Sequence, residues 1–289
     1  KKLINTVYNY KPDLLIFGHA DLIKESTLSY LKENYKNLKI AQWFLDPLIK
    51  NGPDFEKNKN RILDKISFTD ANFITTSPDV LDFLPKNKSC FFIPNPTDKS
   101  FEVLNNYENN QCSMDVFFAL SHGVHRGILK KGKYDERADF VNKLVEVTPN
   151  VKFDLYGINN IQPIWADSFL KSISNAKMGV NLSRGEPTKY YSSDRITQLI
   201  GNGLLTFIHE KTYFNNFFNN KEVVFYSNLS QLSEKIQKFA RDDDLRKKIA
   251  RNGKKKYMKF FNSTVVADYI IKNTFDINYR KNKFLWDNK

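Results

Sequence analysis

Two cysteines in 289 residues are too few to build a fold on disulfides. Cys90 and Cys112 sit among apolar neighbours without metal-ligand spacing, which reads as free thiols in a reducing compartment. No apolar run approaches the ~18 residues of a membrane-crossing helix. The opening stretch, KKLINTVYNYKPDLLIF, is already helix-like, so no secretory leader is expected. GxGxxG and Walker patterns are both missing, which excludes a dinucleotide or P-loop signature. No DxD pattern stands in acidic surroundings suited to a divalent ion, so metal-independent chemistry is expected. No RNA or DNA module motif occurs, and the basic residues are not interleaved with aromatic platforms; nucleic acid is not an expected partner. Internal repeats and low-complexity tracts are missing too, beyond scattered Asn and Lys.

What is present is enough apolar material for two domains. The hydrophobic fraction is 41% and the aromatic fraction 14%, which rules out disorder. The net charge of +13 is uneven: residues 241–289 carry 14 Lys and Arg against six Asp and no Glu. Within that tail DLRKKIARNGKKKYMKFF reads as a basic helix. Such a helix is either a solvated face or a surface for an anionic membrane or nucleic acid, the last suggested by charge alone.

Strand and helix signals alternate along the chain. DLLIFGHA (13–20) is a short apolar run after Lys11-Pro12 and predicts a buried parallel strand. STLSYLKENYKN follows as a helix, LKIAQWFLDP as a strand, FEKNKNRILDKI as a helix, ANFITTSP as a strand, VLDFL as a short helix and SCFFIP as a fourth strand. IPNPTDKSFE then breaks the rhythm, because its prolines and turn formers cannot continue a central strand. A second series begins at MDVFFALSHG and continues with DERADFVNKLVEV, VKFDLYG, WADSFLKSISNA and KMGVNLSRG. It goes on through SSDRITQLIGNG, LLTFI and VVFY to the helices LSQLSEKIQKFARD and LRKKIARNGKKKYMKFF. The expected organisation is an amino-terminal α/β domain over 1–93, a hinge over 94–111, a second α/β domain over 112–275 and a tail over 276–289. Two doubly wound parallel sheets would place a cleft at their carboxyl strand ends, where ligands of open α/β sheets bind.

The polar residues that follow strands are the candidates for chemistry. Ser121, His122, Gly123 and His125 come after the first strand of the second series, where a glycine lets backbone N–H groups approach a diphosphate. Arg126, Lys130, Lys131 and Lys133 make the next stretch cationic. Arg137 opens the following helix, to reach a phosphate or to pair with Asp135 or Glu136. Gly157 closes VKFDLYG and joins the donor-side group. The densest cluster is SRGEPTKYYSSDRITQ. Arg184, Lys189 and Arg195 there would neutralise a diphosphate, unless Arg195 only salt-bridges Asp194 at the surface, and Ser192 or Ser193 would donate at a helix start placed at Ser192. Glu186 or Gln198 would bond sugar or ribose hydroxyls. In the first series, His19 with Asp21, and Asp46, follow strands. His19 and Asp46 are the candidate general bases for an acceptor hydroxyl in an inverting enzyme, against a loop histidine and an Asp-Pro turn; a retaining enzyme could need neither.

Residues 112–275 resemble the nucleotide-sugar-binding half of group 1, GT-B-fold glycosyltransferases, especially the spore-maturation-like branch. The resemblance rests on DVFFAL with a downstream helix containing Arg137, on FDLYG, AKMGVNLS and DRITQLIGNGLLTFI, and on VVFYSNLSQLSEKIQKFARDDDLRKKIARNGKKK. IPNPTDKSFE resembles the family's interdomain hinge. Two positions depart from the pattern: Gln198 stands where the family carries a Glu for ribose hydroxyls, and Tyr190 where the upstream Glu of the acidic pair falls. The first domain also begins without the expected first strand and glycine loop. The resemblance implies a GT-B pair of Rossmann-like domains with a shortened amino-terminal one. It implies a hexosyltransferase-like enzyme of cell-envelope glycan biosynthesis that moves a sugar from a nucleotide-sugar donor to a glycan, lipid or small-molecule hydroxyl. No cofactor beyond the donor is expected. The expected location is cytoplasmic, with peripheral contact to an anionic membrane through residues 241–289. The alternative is a non-catalytic nucleotide- or glycan-binding protein on the same fold.

Overall fold

The alternating pattern folds into two parallel sheets, each in its own unit. The computed structural model describes all residues except 53, 121–123, 126–127, 130–134, 281–282 and 288–289, with backbone alone at 124–125 and 128–129. Unit 1 comprises Lys1–Pro94, Thr188–Tyr191 and Ser263–Lys289; unit 2 comprises Asn95–Pro187 and Ser192–Asn262.

Unit 1 begins with α1 (Lys2–Tyr10), β1 (Leu14–Phe17), α2 (Glu25–Asn34) and β2 (Lys39–Phe44). It continues with α3 (Phe55–Ile66), β3 (Ala71–Ile74) and β4 (Cys90–Phe92). The four strands lie in sequence order and all pair in parallel, so every connection crosses over the sheet. Val7, Phe17, Leu28, Leu31 and Ile40 form one core cluster; Phe44, Ile62, Ile66 and Ile74 form another. Asp70 joins three elements, accepting from Lys32 Nζ at 2.5 Å and from the Ile40 amide at 2.8 Å, with Lys39 Nζ at 3.6 Å. VLDFL is not a helix: a single 3-10 turn covers Pro78–Val80, since five residues before Pro85 are too few to repay helix nucleation.

Unit 2 contains β5 (Met114–Ala119), the two-residue strands β6 (Val124–His125) and β7 (Ile128–Leu129), α4 (Glu136–Glu146) and β8 (Phe153–Tyr156). Then follow α5 (Ala166–Ser174), β9 (Ala176–Asn181), α6 (Arg195–Gly201), β10 (Leu205–His209), β11 (Val224–Tyr226), α7 (Leu229–Arg241) and α8 (Asp243–Phe260). Five strands make a parallel sheet in the order β11-β10-β9-β5-β8. Alternation along the strands divides the core. Val116, Met178, Val180 and Phe207 pack with Leu232, Ile236 and Ile249 of α7 and α8, whereas Phe117 packs with Ile173 and Leu199 of α5 and α6.

The last helix, α9 (Ser263–Thr274), lies in unit 1, although the pattern placed residues up to 275 in the second domain. Residues 95–111, expected as a hinge, are built into unit 2. Asn95 Nδ2 donates to the Ser192 carbonyl, and Asn106 Nδ2 to the carbonyls of Ile173 and Ala176. The basic stretch of α8 is largely engaged within the protein. Arg246 is fully buried with Nε on Asp243 at 2.8 Å, Lys247 reaches Asp243 and Asn110, Arg251 covers the Tyr107 ring, and Lys256 reaches Glu222. Among the described residues, no helix is long and apolar enough to cross a membrane.

Glycine inside a helix normally costs about 1 kcal/mol relative to Ala. At Gly253 in α8 the sign reverses, because a Cβ would lie 2.2 Å from the Glu222 carbonyl oxygen. Gly253→Ala is expected to lower stability by about 1–3 kcal/mol in urea denaturation; a stabilised variant would refute this packing. Asp70 gives a pH-dependent counterpart. Burial opposes its ionisation, but the Lys32 and Ile40 hydrogen bonds outweigh that and hold its carboxyl below the usual range. A depressed folded value stabilises above the unfolded value and is lost as pH falls through the folded one. Asp70→Asn is therefore expected to cost about 1–3 kcal/mol near pH 7, with the gap to wild type closing below about pH 4. A pH-independent gap would rule out the ionic origin.

Candidate active site

A cavity of about 750 Å³ opens in unit 2 beside the carboxyl end of β5. Its polar wall carries Arg137 from the first turn of α4, and Ser193, Asp194, Arg195 and Gln198 from the start of α6. Phe101, Val103, Trp165 and Phe169 supply an apolar wall. Phe101 and Trp165 are exposed and were not singled out by the sequence pattern. A space with cationic and hydroxyl groups on one side and rings on the other suits a ligand that is part charged and part flat.

The α6 helix begins at Arg195 rather than at Ser192. Ser192 is buried, with Oγ 3.0 Å from Asn181 Oδ1 and its carbonyl held by Asn95, so it anchors the approach to the helix instead of facing the cavity. Arg195 Nη1 donates to the Leu182 carbonyl at 2.6 Å and to Ser193 Oγ at 3.1 Å, and Nη2 donates to the Ala119 carbonyl at 2.9 Å. Its guanidinium also lies 4.9 Å from the centre of the Phe118 ring. One side chain therefore joins the ends of the neighbouring strands β5 and β9 while lining the cavity. The two glycines at the helix exit serve packing. A Cβ at Gly201 would meet the side chains of Glu102 and Thr97, and Gly203, at φ +80°, lies against Tyr107. Burial pushes the Glu102 carboxyl up, against hydrogen bonds from the Asp98 amide and Thr97.

Arg137 pairs with the N-cap of its own helix while lining the cavity: Nε and Nη2 grip the buried Asp135 carboxylate at 2.9 and 2.6 Å. Gly157 supports the site from behind, since it has φ +75° and a Cβ there would lie 1.9 Å from the Leu120 carbonyl oxygen. Arg184 is not among the cavity-lining residues. Lys189 lies in unit 1, where it pairs with Asp79 at 2.5 Å. Tyr190, also in unit 1, is buried with its ring 5.0 Å from that of Phe92. Ser121, Gly123, His122, Arg126, Lys130, Lys131 and Lys133 lie outside the described residues, as does the side chain of His125.

In unit 1 the two candidate bases meet. His19 Nε2 is 3.1 Å from Asp46 Oδ2, and the His19 ring lies 5.5 Å from that of Phe44. Arg61 of α3, which no sequence pattern indicated, reaches Asp21 at 2.6 Å and Asp46 at 3.4 Å. Its hydrogen bond holds the Asp21 carboxyl below the usual range. No group of three or more His, Cys, Asp or Glu able to hold a metal occurs among the described residues.

The fold is that of the GT-B glycosyltransferases. Residues 136–272, most of unit 2, match the family described as glycosyl transferase-like. TarM is 15% identical, with a TM-score of 0.62 over 94% of this chain and 57% of its own. TarM from S. aureus, solved with fondaparinux, alpha-GlcNAc-glycerol and UDP, has 14% identity and a TM-score of 0.61 over 83% of this chain and 52% of its own. The chain thus spans little more than half the length of the TarM chains it matches. HepE from Anabaena, solved with UDP-glucose, is 10% identical with a TM-score of 0.63 over 95% of this chain and 81% of its own. No curated protein matches the sequence.

Arg195→Ala is expected to destabilise the ligand-free protein by about 2–4 kcal/mol, because the strand-end carbonyls lose a charged donor. Arg195→Lys should recover only part of this, since an ammonium cannot bridge both carbonyls in the guanidinium's fork. Denaturation midpoints check it; an alanine variant as stable as wild type would remove the structural role.

Proposed function

We propose that this protein is a nucleotide-sugar-dependent glycosyltransferase, with the donor taken up by the unit 2 cavity. The observation that carries the reading is the convergence of Arg137, Ser193, Arg195 and Gln198 on one cavity within the glycosyl transferase-like segment. UDP or UDP-glucose in the solved HepE and TarM complexes favours a uridine nucleotide as the first donor to test. In this reading the leaving diphosphate is stabilised by the guanidinium groups of Arg137 and Arg195 and by Ser193, not by a metal ion. Gln198 bonds sugar or ribose hydroxyls without the charge of a carboxylate. The Trp165 and Phe101 rings accommodate the base or the apolar face of the sugar.

The acceptor hydroxyl is assigned to His19. A carboxylate only accepts, so His19 Nε2 carries the proton shared with Asp46 and Nδ1 is left to accept one. As the acceptor oxygen bonds to the anomeric carbon, the bond from that carbon to the diphosphate oxygen breaks and the hydroxyl proton passes to His19. A glycan or a lipid carrier supplies such a hydroxyl equally well. The exposed Lys248, Arg251, Lys255 and Lys259 of α8 are the side chains that would meet an anionic membrane.

Calorimetric titration with UDP, GDP and ADP tests the donor site. One nucleotide is expected to bind, and Gln198→Ala to weaken it about 2- to 10-fold, the worth of one neutral hydrogen bond. Release of that nucleoside diphosphate from its sugar donor, faster with an acceptor present, would follow. Absence of binding by all three nucleotides would overturn the donor assignment. Binding without turnover would make the protein a non-catalytic nucleotide binder.

A further inference from the structure

We infer that Arg61 is a positioning residue for the His19–Asp46 pair; this rests on the assignment of His19 as the acceptor-side base. The parallel pairing of β1 with β2 sets Phe17 beside Gln42, so the loops that follow, carrying His19 and Asp21 on one side and Asp46 on the other, leave the sheet together. Neither loop fixes its own side chains. The fixing comes from α3, whose residues 58, 61 and 65 recur at helical spacing along one face. Asn58 Nδ2 donates to the Pro47 carbonyl at 2.9 Å and holds the main chain of the Asp46-Pro47 turn. Arg61, one turn on, holds the side chains, with Nη2 on Asp21 Oδ2 at 2.6 Å and Nη1 on Asp46 Oδ2 at 3.4 Å. Lys65 is buried a further turn along and adds positive charge near Asp21.

The exposures put Arg61 underneath the pair. Its side chain is 22% exposed, against 44% for His19 and 36% for Asp46. A substrate would meet the imidazole and the carboxylate, while the guanidinium stays behind them. Asp46 Oδ2 receives both Arg61 and His19, so the direction of the carboxylate, and through it the ring orientation of His19, depends on the arginine. Without Arg61, the carboxylates of Asp21 and Asp46 lose the cation they share, and Asp46 is free to turn from the imidazole. Arg61 needs no contact with substrate for this, and it is not a catalytic residue.

The test is a double-mutant cycle on His19 and Arg61, read as kcat for transfer and, separately, as affinity for UDP. Arg61→Gln is expected to lower kcat about 10- to 100-fold, the usual cost of a displaced catalytic group, and to leave UDP affinity, a property of unit 2, unchanged. In the His19→Ala background the same change should do nothing further, since groups that act as one unit are not additive. Arg61→Lys should restore part of the loss, because one ammonium can reach Asp46 but cannot bridge both carboxylates. Full activity in Arg61→Gln while His19→Ala is impaired would overturn the inference and leave the base assignment standing. An Arg61→Gln loss that persists in the His19→Ala background would overturn it too, as a merely structural effect. If Arg61→Gln does not fold, Arg61→Lys decides: wild-type kcat with unchanged UDP affinity would reject a role for the fork. No transfer by wild type, or transfer indifferent to His19→Ala, would reject the reading and the inference together.

Discussion

Parallel strands cannot be joined by tight turns; each must be followed by a crossover that carries the chain back to the start of the next. That constraint makes all nine strands of the two large sheets run the same way within their sheet. It also delivers every strand-to-helix loop of a sheet to one edge. His19, Asp21 and Asp46 come together at the carboxyl edge of the first sheet for this reason, though the first and last lie 27 positions apart. Leu120, Gly157, Leu182 and Arg195 meet at the corresponding edge of the second. The chemistry of the molecule is gathered there by topology before any particular side chain is chosen.

Within that frame the two edges are stabilised by the same device, an arginine that comes from a helix and grips groups presented by two neighbouring strands. Arg195 takes the carbonyls of Ala119 and Leu182, while Arg61 takes the carboxylates of Asp21 and Asp46. A guanidinium suits this work because its donors lie in a fixed plane and it keeps its charge when half-buried. The difference lies in what is gripped. Carbonyls at strand ends fix the backbone, whereas loop carboxylates fix side chains that remain open to solvent. One edge is thereby held as a wall, and the other as a pair of aligned polar groups.

Elements were legible in the sequence wherever the apolar period was strong. LKIAQWF, MDVFFA and LLTFI fold as buried strands, and the helix over 229–241 ends within a residue of its expected limit. Termini and partners were less legible. The serines before Arg195 looked like caps, but Ser192 is buried against Asn181 and the helix begins three residues later. Lys189 stands inside the densest cationic cluster of the sequence, yet belongs to unit 1 and pairs there with Asp79, 110 positions away. Arg61 gave no signal at all, since its partners lie 40 and 15 residues upstream and an arginine in FEKNKNRILDKI reads as an ordinary solvated helix face. Charge in α8 was only partly legible. Its exposed lysines match a solvated face, whereas Arg251 and Lys256 are engaged by Tyr107 and Glu222, which no local window contains.

The short segment Thr188–Tyr191 belongs to unit 1 although the chain on both sides of it belongs to unit 2, and Ser263–Lys289 returns to unit 1 at the end. The backbone therefore passes from one unit to the other four times. Neither unit is a continuous stretch of gene, so no single excision yields either one whole. An exchange of either unit between relatives by splicing would have to bring the tetrapeptide and the final helix into register with a foreign partner. Point changes at the rim of the cavity avoid that difficulty. A chain threaded in this way is thus free to diversify its ligand by substitution, and poorly suited to doing so by recombination.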